Sequence, residues 1–107
     1  GHPDITASYS SIASVYHSQG EYSKALQYHE KSLNMKLLMH QTVPHPDVVD
    51  SYRSMGDVSM SLSDFSLAVR YYHESLSYLQ KLSCDAEKVK FLYIYERLVK
   101  AHYFNWY

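Results

Sequence analysis

The chain has very few of the residues that crosslink, kink or activate small proteins. Its 107 residues include one cysteine, three glycines and three prolines. A lone cysteine, Cys84, forms no intramolecular disulfide and no zinc site of the usual multi-cysteine kind. Three glycines leave no glycine-rich phosphate loop, and no G-x-S-x-G nucleophile motif occurs. We therefore expect a protein of the reducing cytoplasm that is not an enzyme and needs no cofactor.

An excess of one charge is also missing. The chain has ten Lys and Arg residues and eleven Asp and Glu residues, and no block of like charges occurs. A field of one sign is what steers proteins to nucleic acids or anionic membranes, so neither partner is expected. The longest apolar run, residues 91–95, is far shorter than the roughly 20 residues that a membrane span needs.

The histidines do not form a recognisable metal motif. There are seven, and none belongs to a His-Glu-x-x-His pattern. They stand at His2, His17, His29, His40, His45, His73 and His102. The two that are closest in sequence, His40 and His45, flank a predicted loop. We expect these side chains to be core or surface residues and predict no metal ligands.

Tyrosine is abundant, with 12 copies against three Phe and one Trp, and the chain repeats itself. The segment His2-Pro3-Asp4 returns 43 residues later as His45-Pro46-Asp47. The same offset superposes similar residues along both copies: Tyr9 and Tyr52, Val15 and Val58, Ala25 and Ala68, Tyr28 and Tyr71, Ser32 and Ser75, Leu33 and Leu76. A period of this length predicts a stacked array, in which each unit covers the apolar face of its neighbour.

Each copy reads as two helices. Apolar positions near the start of the first copy recur at helical spacing, namely Ile5, Tyr9, Ile12, Ala13 and Tyr16. Gly20 is placed to end the first helix, and a second helix is expected from Tyr22. Ala25 and Ala68 are small where two helix backbones should approach closely. A further helix is predicted from residue 85, although residues 91–95 also have high β-propensity.

These spacings resemble the tetratricopeptide repeat. The pattern rests on a large residue, a small residue and aromatics in fixed order, at Tyr9, Ile12, Ala13, Tyr16, Gly20, Tyr22, Ala25, Ser32 and Leu33. The second copy matches at Tyr52, Met55, Gly56, Phe65, Ala68, Tyr72, Ser75 and Leu76. The usual period is about 34 residues, and a longer one with a His-Pro-Asp opening is similar to the repeats of kinesin light chains.

The resemblance implies an all-α fold, a right-handed α-solenoid of antiparallel helical hairpins with about five helices. Repeat one is expected at 2–43, repeat two at 45–84, and a third first helix or capping helix at 85–105. About three repeats usually share a core, so a fragment of a longer array is expected.

The resemblance also implies a protein or peptide partner in the concave groove lined by the first helices. The family's groove positions fall on Ser10, Ser14, His17, Asp50, Arg53, Asp57, Met60, Glu96, Lys100 and Tyr103. One mode known in the family captures a C-terminal carboxylate with paired cations. Arg53 and Arg97 alone do not make that clamp, and Asp57 opposes it.

Two alternatives remain open. In the first, the groove positions are a solvated face and the partner binds elsewhere in a longer array. In the second, the chain is a structural spacer or a self-association unit, whose aromatic C-terminal helix at residues 103–107 docks another copy. A regulatory array attached to another domain would need sequence outside these residues.

Overall fold

The computed structural model describes residues 3–82 and 88–106, and it is helical and free of strands over these two ranges. The helices are α1 (Pro3–Ser18), α2 (Tyr22–Met39), α3 (Pro46–Ser61), α4 (Phe65–Leu79) and α5 (Lys88–Trp106). Each helix packs on the next one in sequence. The extents are 40 × 33 × 18 Å, and the shortest equals about two helix diameters. The fold is therefore an all-α, two-layer solenoid of helical hairpins, as predicted.

The repeat offset governs where the helices begin and end. Shifted by 43 residues, α1 superposes on α3 at both ends, and α2 and α4 begin at equivalent positions. The segment at 91–95 lies within α5, which confirms the helical prediction there. The predicted repeat boundaries at 43–45 and 84–85 stay predictions. Cys84, His2 and the expected start of the last helix at residue 85 lie outside the described residues.

The turns that close the two hairpins adopt the same backbone conformation with different residues. Gly20 has a φ of 80° after α1, and Ser63 has a φ of 60° at the equivalent place after α3. This left-handed region suits a residue without a Cβ. The second turn is supported instead by Asp64, whose side chain accepts a hydrogen bond from the Leu67 amide at 3.3 Å and caps α4.

The core consists of two apolar clusters joined by one tyrosine. The first cluster unites α3, α4 and α5 through Val49, Ala68, Tyr72, Leu76, Leu79, Ile94, Leu98 and Ala101. The second unites α2 and α3 through Leu33, Val48 and Met55. Tyr78 packs against both clusters. The two hairpins thus share an apolar seam, as the repeat predicted.

Small residues sit where helices approach most closely, and two of them are polar. Ala25 and Ala68 are fully buried, as expected, and so are Ser32 and Ser75. Ser75 satisfies its hydroxyl by donating to the Val49 carbonyl at 3.1 Å. Buried hydroxyls cost little when they are hydrogen-bonded, so serine replaces alanine here without loosening the hairpin.

Burial in the first helix of the array differs from the sequence prediction. Ile12 was expected on the packed face, yet it is 38% exposed, whereas Met55 at the same register is 1% exposed. Val15 and Val58 differ in the same way, at 55% and 1%. The prediction was wrong because a residue at a core position of the repeat is buried only where another helix packs against it. The helix α3 lies between α2 and α4, while α1 packs on α2 alone among the principal helix contacts.

A close approach in the second hairpin depends on Gly56. A Cβ at this position would lie 2.6 Å from Cε1 of Tyr72, inside the contact distance of any real pair of carbon atoms. Tyr72 is fully buried, so its ring has little room to withdraw. In the first hairpin the equivalent pair is Ala13 and His29, a larger residue opposite a smaller ring. The two positions are therefore matched in size within each repeat.

We predict that Gly56→Ala lowers the free energy of unfolding by about 1–3 kcal/mol, the usual cost of overpacking. Adding Tyr72→His should remove most of this overpacking penalty. The double variant then combines alanine with histidine, the pair that the first hairpin already contains. Urea denaturation of the two single variants and the double variant measures the coupling. Purely additive effects, or a Gly56→Ala protein as stable as the parent, would contradict the packing described here.

Candidate functional site

A polar cleft of about 180 Å³ opens where α1, α2 and α3 meet. The lining residues come from all three helices and are Ser10, Ser14, His29, Lys36, Asp50, Ser51 and Ser54. Ser10, Ser14 and Asp50 were predicted as groove residues, and the structure brings them together. His29, Lys36 and Ser51 were missed as site residues, because the family pattern assigns the groove to first helices and two of these three lie on α2.

Hydrogen bonds hold the walls of the cleft. Lys36 Nζ donates to Ser51 Oγ at 2.8 Å, which links α2 to α3. The hydroxyls of Ser10 and Ser32 lie 2.8 Å apart, which links α1 to α2. Ser14 Oγ donates to the Ser10 carbonyl at 3.1 Å. The cleft thus presents hydroxyls beside one cation and one carboxylate, a lining suited to polar ligand groups.

His29 forms a nearly buried wall of the cleft, with 7% of its surface exposed. Desolvation by burial lowers its pKa to about 4, helped by the positive charges of His17, Lys36 and Arg53 and opposed by Asp57. The imidazole is therefore neutral near pH 7 and offers one donor and one acceptor nitrogen.

Asp57 organises the centre of α3. Its Oδ2 accepts a hydrogen bond from Arg53 Nη1 at 3.2 Å, one helical turn away. Its Oδ1 accepts a hydrogen bond from the hydroxyl of Tyr72 on α4. Burial raises the pKa of Tyr72, and the hydrogen bond and negative charge of Asp57 raise it further. The predicted groove residues Arg53 and Asp57 are thus neighbours that the second hairpin holds in place.

Two guanidinium groups flank one tyrosine between α3 and α5. The Cζ atoms of Arg53 and Arg97 lie 5.9 and 4.9 Å from the centroid of the Tyr93 ring. Burial alone would lower the pKa of Arg97, but Asp57 and Tyr93 outweigh it and raise the pKa. The first helices of the second and third repeats therefore bring two cations to one exposed aromatic ring, with Arg53 also paired to Asp57.

The remaining predicted residues on the first two hairpins have partners of their own. His17 Nε2 lies 3.2 Å from Ser61 Oγ and bridges α1 to α3, with its ring edge-on to Tyr22. Met60 is half-buried and packs against the core cluster of α3, α4 and α5. It contributes to packing as well as to the surface of α3.

On α5 the predicted residues form an exposed surface. Lys100 Nζ pairs with Glu96 Oε1 at 3.5 Å, one turn apart. The Tyr103 ring lies edge-on to Phe104, with 5.6 Å between their centroids. None of the three lines the cleft between α1, α2 and α3. Eight of the ten predicted residues therefore divide into the cleft, the centre of α3 and this surface of α5, while His17 bridges α1 to α3 and Met60 packs on the core.

The chain was compared with families, curated proteins and solved structures. Residues 5–39 match the model of the tetratricopeptide repeat family. Among solved structures, the chain is similar to the N-terminal domain of stress-induced protein-1 (STI-1) from C. elegans, with a TM-score of 0.60 and 21% identity. The match covers 86% of this chain and 68% of that one. No curated protein matches the chain.

None of the described helices is both long and apolar enough to cross a membrane.

We predict that His29 makes stability fall below neutral pH. Its pKa in the folded protein, about 4, lies below the ordinary value of 6.5, so the unfolded chain binds a proton more readily in that range. The cost is absent above pH 6.5 and grows as the pH falls towards 4. Urea midpoints across this range should decline less steeply for His29→Gln. His73→Gln, which changes an exposed histidine of α4, is the matched control. An unchanged slope for His29→Gln would contradict the prediction.

Proposed function

We propose that this chain, which carries a tetratricopeptide repeat at residues 5–39 and folds as a helical solenoid, binds a protein or peptide segment in the groove of α1, α3 and α5. Repeats of this family serve typically as protein-interaction modules, and the proposal requires no catalytic step. The likeness to kinesin light chain repeats and a cytoplasmic location stay predictions.

One observation supports the groove above all. The polar cleft and the Tyr93 ring with its two neighbouring cations lie on adjoining helices. The cleft is lined by hydroxyls with Lys36 and Asp50. Next along the solenoid, Arg53 and Arg97 flank the Tyr93 ring. An extended segment that runs across α1, α3 and α5 can place a polar side chain in the first and an acidic or planar one against the second.

Arg53 is the best position at which to separate binding from folding. It is about one third exposed, and its pair with Asp57 spans one turn of a helix surface, so it contributes only about 0.3–0.5 kcal/mol to stability. A change there should act on a ligand far more than on the fold.

We predict that Arg53→Glu weakens binding of groove-selected peptides by roughly tenfold or more, a loss of about 1.4 kcal/mol, with little change in melting temperature. Random peptides displayed on phage would be selected against the parent protein, and their affinities measured by calorimetry. Arg70→Glu is the matched control, because it makes the same charge change at an exposed site on α4, outside the groove helices. Equal losses for both variants, or unfolding of Arg53→Glu, would contradict the groove proposal.

Self-association through α5 is a second candidate function, favoured by an exposed apolar stripe. Leu92, Tyr95 and Val99 are 69%, 52% and 51% exposed, and their spacing puts them on one face of the helix. At the register of Tyr95, the second repeat has Tyr52, which is half-buried and packs against a core cluster. The stripe on α5 therefore corresponds to a surface that is covered in the preceding repeat, and a second copy of the chain can cover it here.

We predict for this candidate a concentration-dependent dimer in sedimentation equilibrium, and a monomer for Leu92→Glu with Val99→Glu. Leu38→Glu is the control, since Leu38 is 62% exposed on α2 and lies outside the stripe. A parent protein that stays monomeric at high concentration would exclude self-association and leave groove binding as the function.

A further inference from the structure

Two histidines and an aspartate converge at the connection between the two hairpins. His40 follows α2, His45 caps the start of α3, and Asp47 lies in the first turn of α3. One ligand atom from each residue lies within 4.8 Å of the other two. His45 Nδ1 and Asp47 Oδ2 are 3.4 Å apart. Spacing alone concealed this cluster, because it depends on the path of the loop at 40–45.

A second observation concerns His40 alone. Its Nε2 is buried and has no hydrogen-bond partner among the residues that the structure describes. A buried ring nitrogen without a partner costs about 1–3 kcal/mol, so native proteins seldom keep one without a reason. Metal coordination would satisfy this nitrogen, and a carboxylate and a second imidazole lie close by.

We propose that His40, His45 and Asp47 bind a zinc ion. Two imidazole nitrogens and one carboxylate oxygen are a ligand set that Zn²⁺ uses, with water in the fourth position. Zinc–ligand bonds of about 2.0–2.1 Å in a tetrahedron put ligand atoms about 3.3 Å apart. His45 Nδ1 and Asp47 Oδ2 already lie at about this separation, and the widest gap in the cluster has to close by up to about 1.5 Å.

Binding requires one specific rearrangement. The rings of His40 and His45 are stacked, with centroids 4.3 Å apart and planes 9° apart. Parallel rings direct their nitrogen lone pairs side by side rather than towards one point, so one ring has to turn before both can reach the ion. Coordination through His45 Nδ1, the atom that lies 3.4 Å from the Asp47 carboxylate, also gives up the hydrogen bond that this nitrogen accepts from the Asp47 amide at 3.1 Å.

The ion would join the end of α2 to the start of α3. These helices belong to different repeats, and the only chain between them is the loop that holds His40 and His45. Because the ligands have to be deprotonated, protons compete with zinc for the site. The site is independent of the groove, which lies on other residues, so its test does not bear on the proposed function.

The test is calorimetric titration of the whole chain with zinc sulfate at pH 7.5. We expect one ion per chain, at least a tenfold loss of affinity for His40→Gln and for Asp47→Asn, and no change for His73→Gln. Zinc should also raise the melting temperature of the parent by several degrees but not that of His40→Gln. In NMR spectra the ring protons of His40 and His45 should shift together as the stack opens.

Three results would overturn the proposal: no saturable binding, equal affinity in the parent and His40→Gln, or one ion shared by two chains. Circular dichroism checks that each variant is folded. His40→Gln is the primary variant, since Nε2 of this ring makes no hydrogen bond within the described part of the chain. If it fails to fold, Asp47→Asn decides by the same criteria.

Discussion

The buried Tyr72 ring, packed over Gly56 and bonded to Asp57, is the interaction on which the second half of the molecule depends. The ring brings α3 and α4 together at a distance that no Cβ at position 56 would permit. Its hydroxyl engages one oxygen of Asp57, and Arg53 engages the other. Arg53, held by Asp57 in this way, lies beside the Tyr93 ring of α5.

The two hairpins differ because this interaction exists in only one of them. Gly56, Asp57 and Tyr72 correspond by the repeat to Ala13, Ser14 and His29. In the first hairpin the smaller ring and the shorter polar side chain do not bond to each other, and both line the cleft. The cleft therefore exists because these three positions differ between the two repeats. Their side chains fill the space between the helices in the second hairpin and leave it open in the first.

The sequence predicted the fold well, because the repeat contains the same information twice. The start of α2 at Tyr22, the turn at Gly20 and the buried Ala25 and Ala68 all follow from local pattern and agree with the structure. The burial expected of Ile12 does not, since burial at the end of a solenoid depends on which helix lies next to it.

The candidate site was predicted less completely, because it too depends on which helices pack against each other. Ser10, Ser14 and Asp50 could be found from first-helix positions, but Lys36 and Ser51 meet only when α2 packs on α3. The cluster of His40 and His45 was harder still to predict, because the loop segment 40–45 contains no regular period. Packing between repeats creates both features, and no pattern within one repeat encodes it.

Tyr78 contacts both apolar clusters, and its hydroxyl accepts a hydrogen bond from the backbone amide of His45 at 3.0 Å. In a linear array, cooperativity arises from the interface energy between adjacent units. One side chain here spans that interface and also bonds the segment that joins the units. Opening either hairpin therefore exposes surface that the other also needs, so the array melts as a single body rather than fraying one unit at a time.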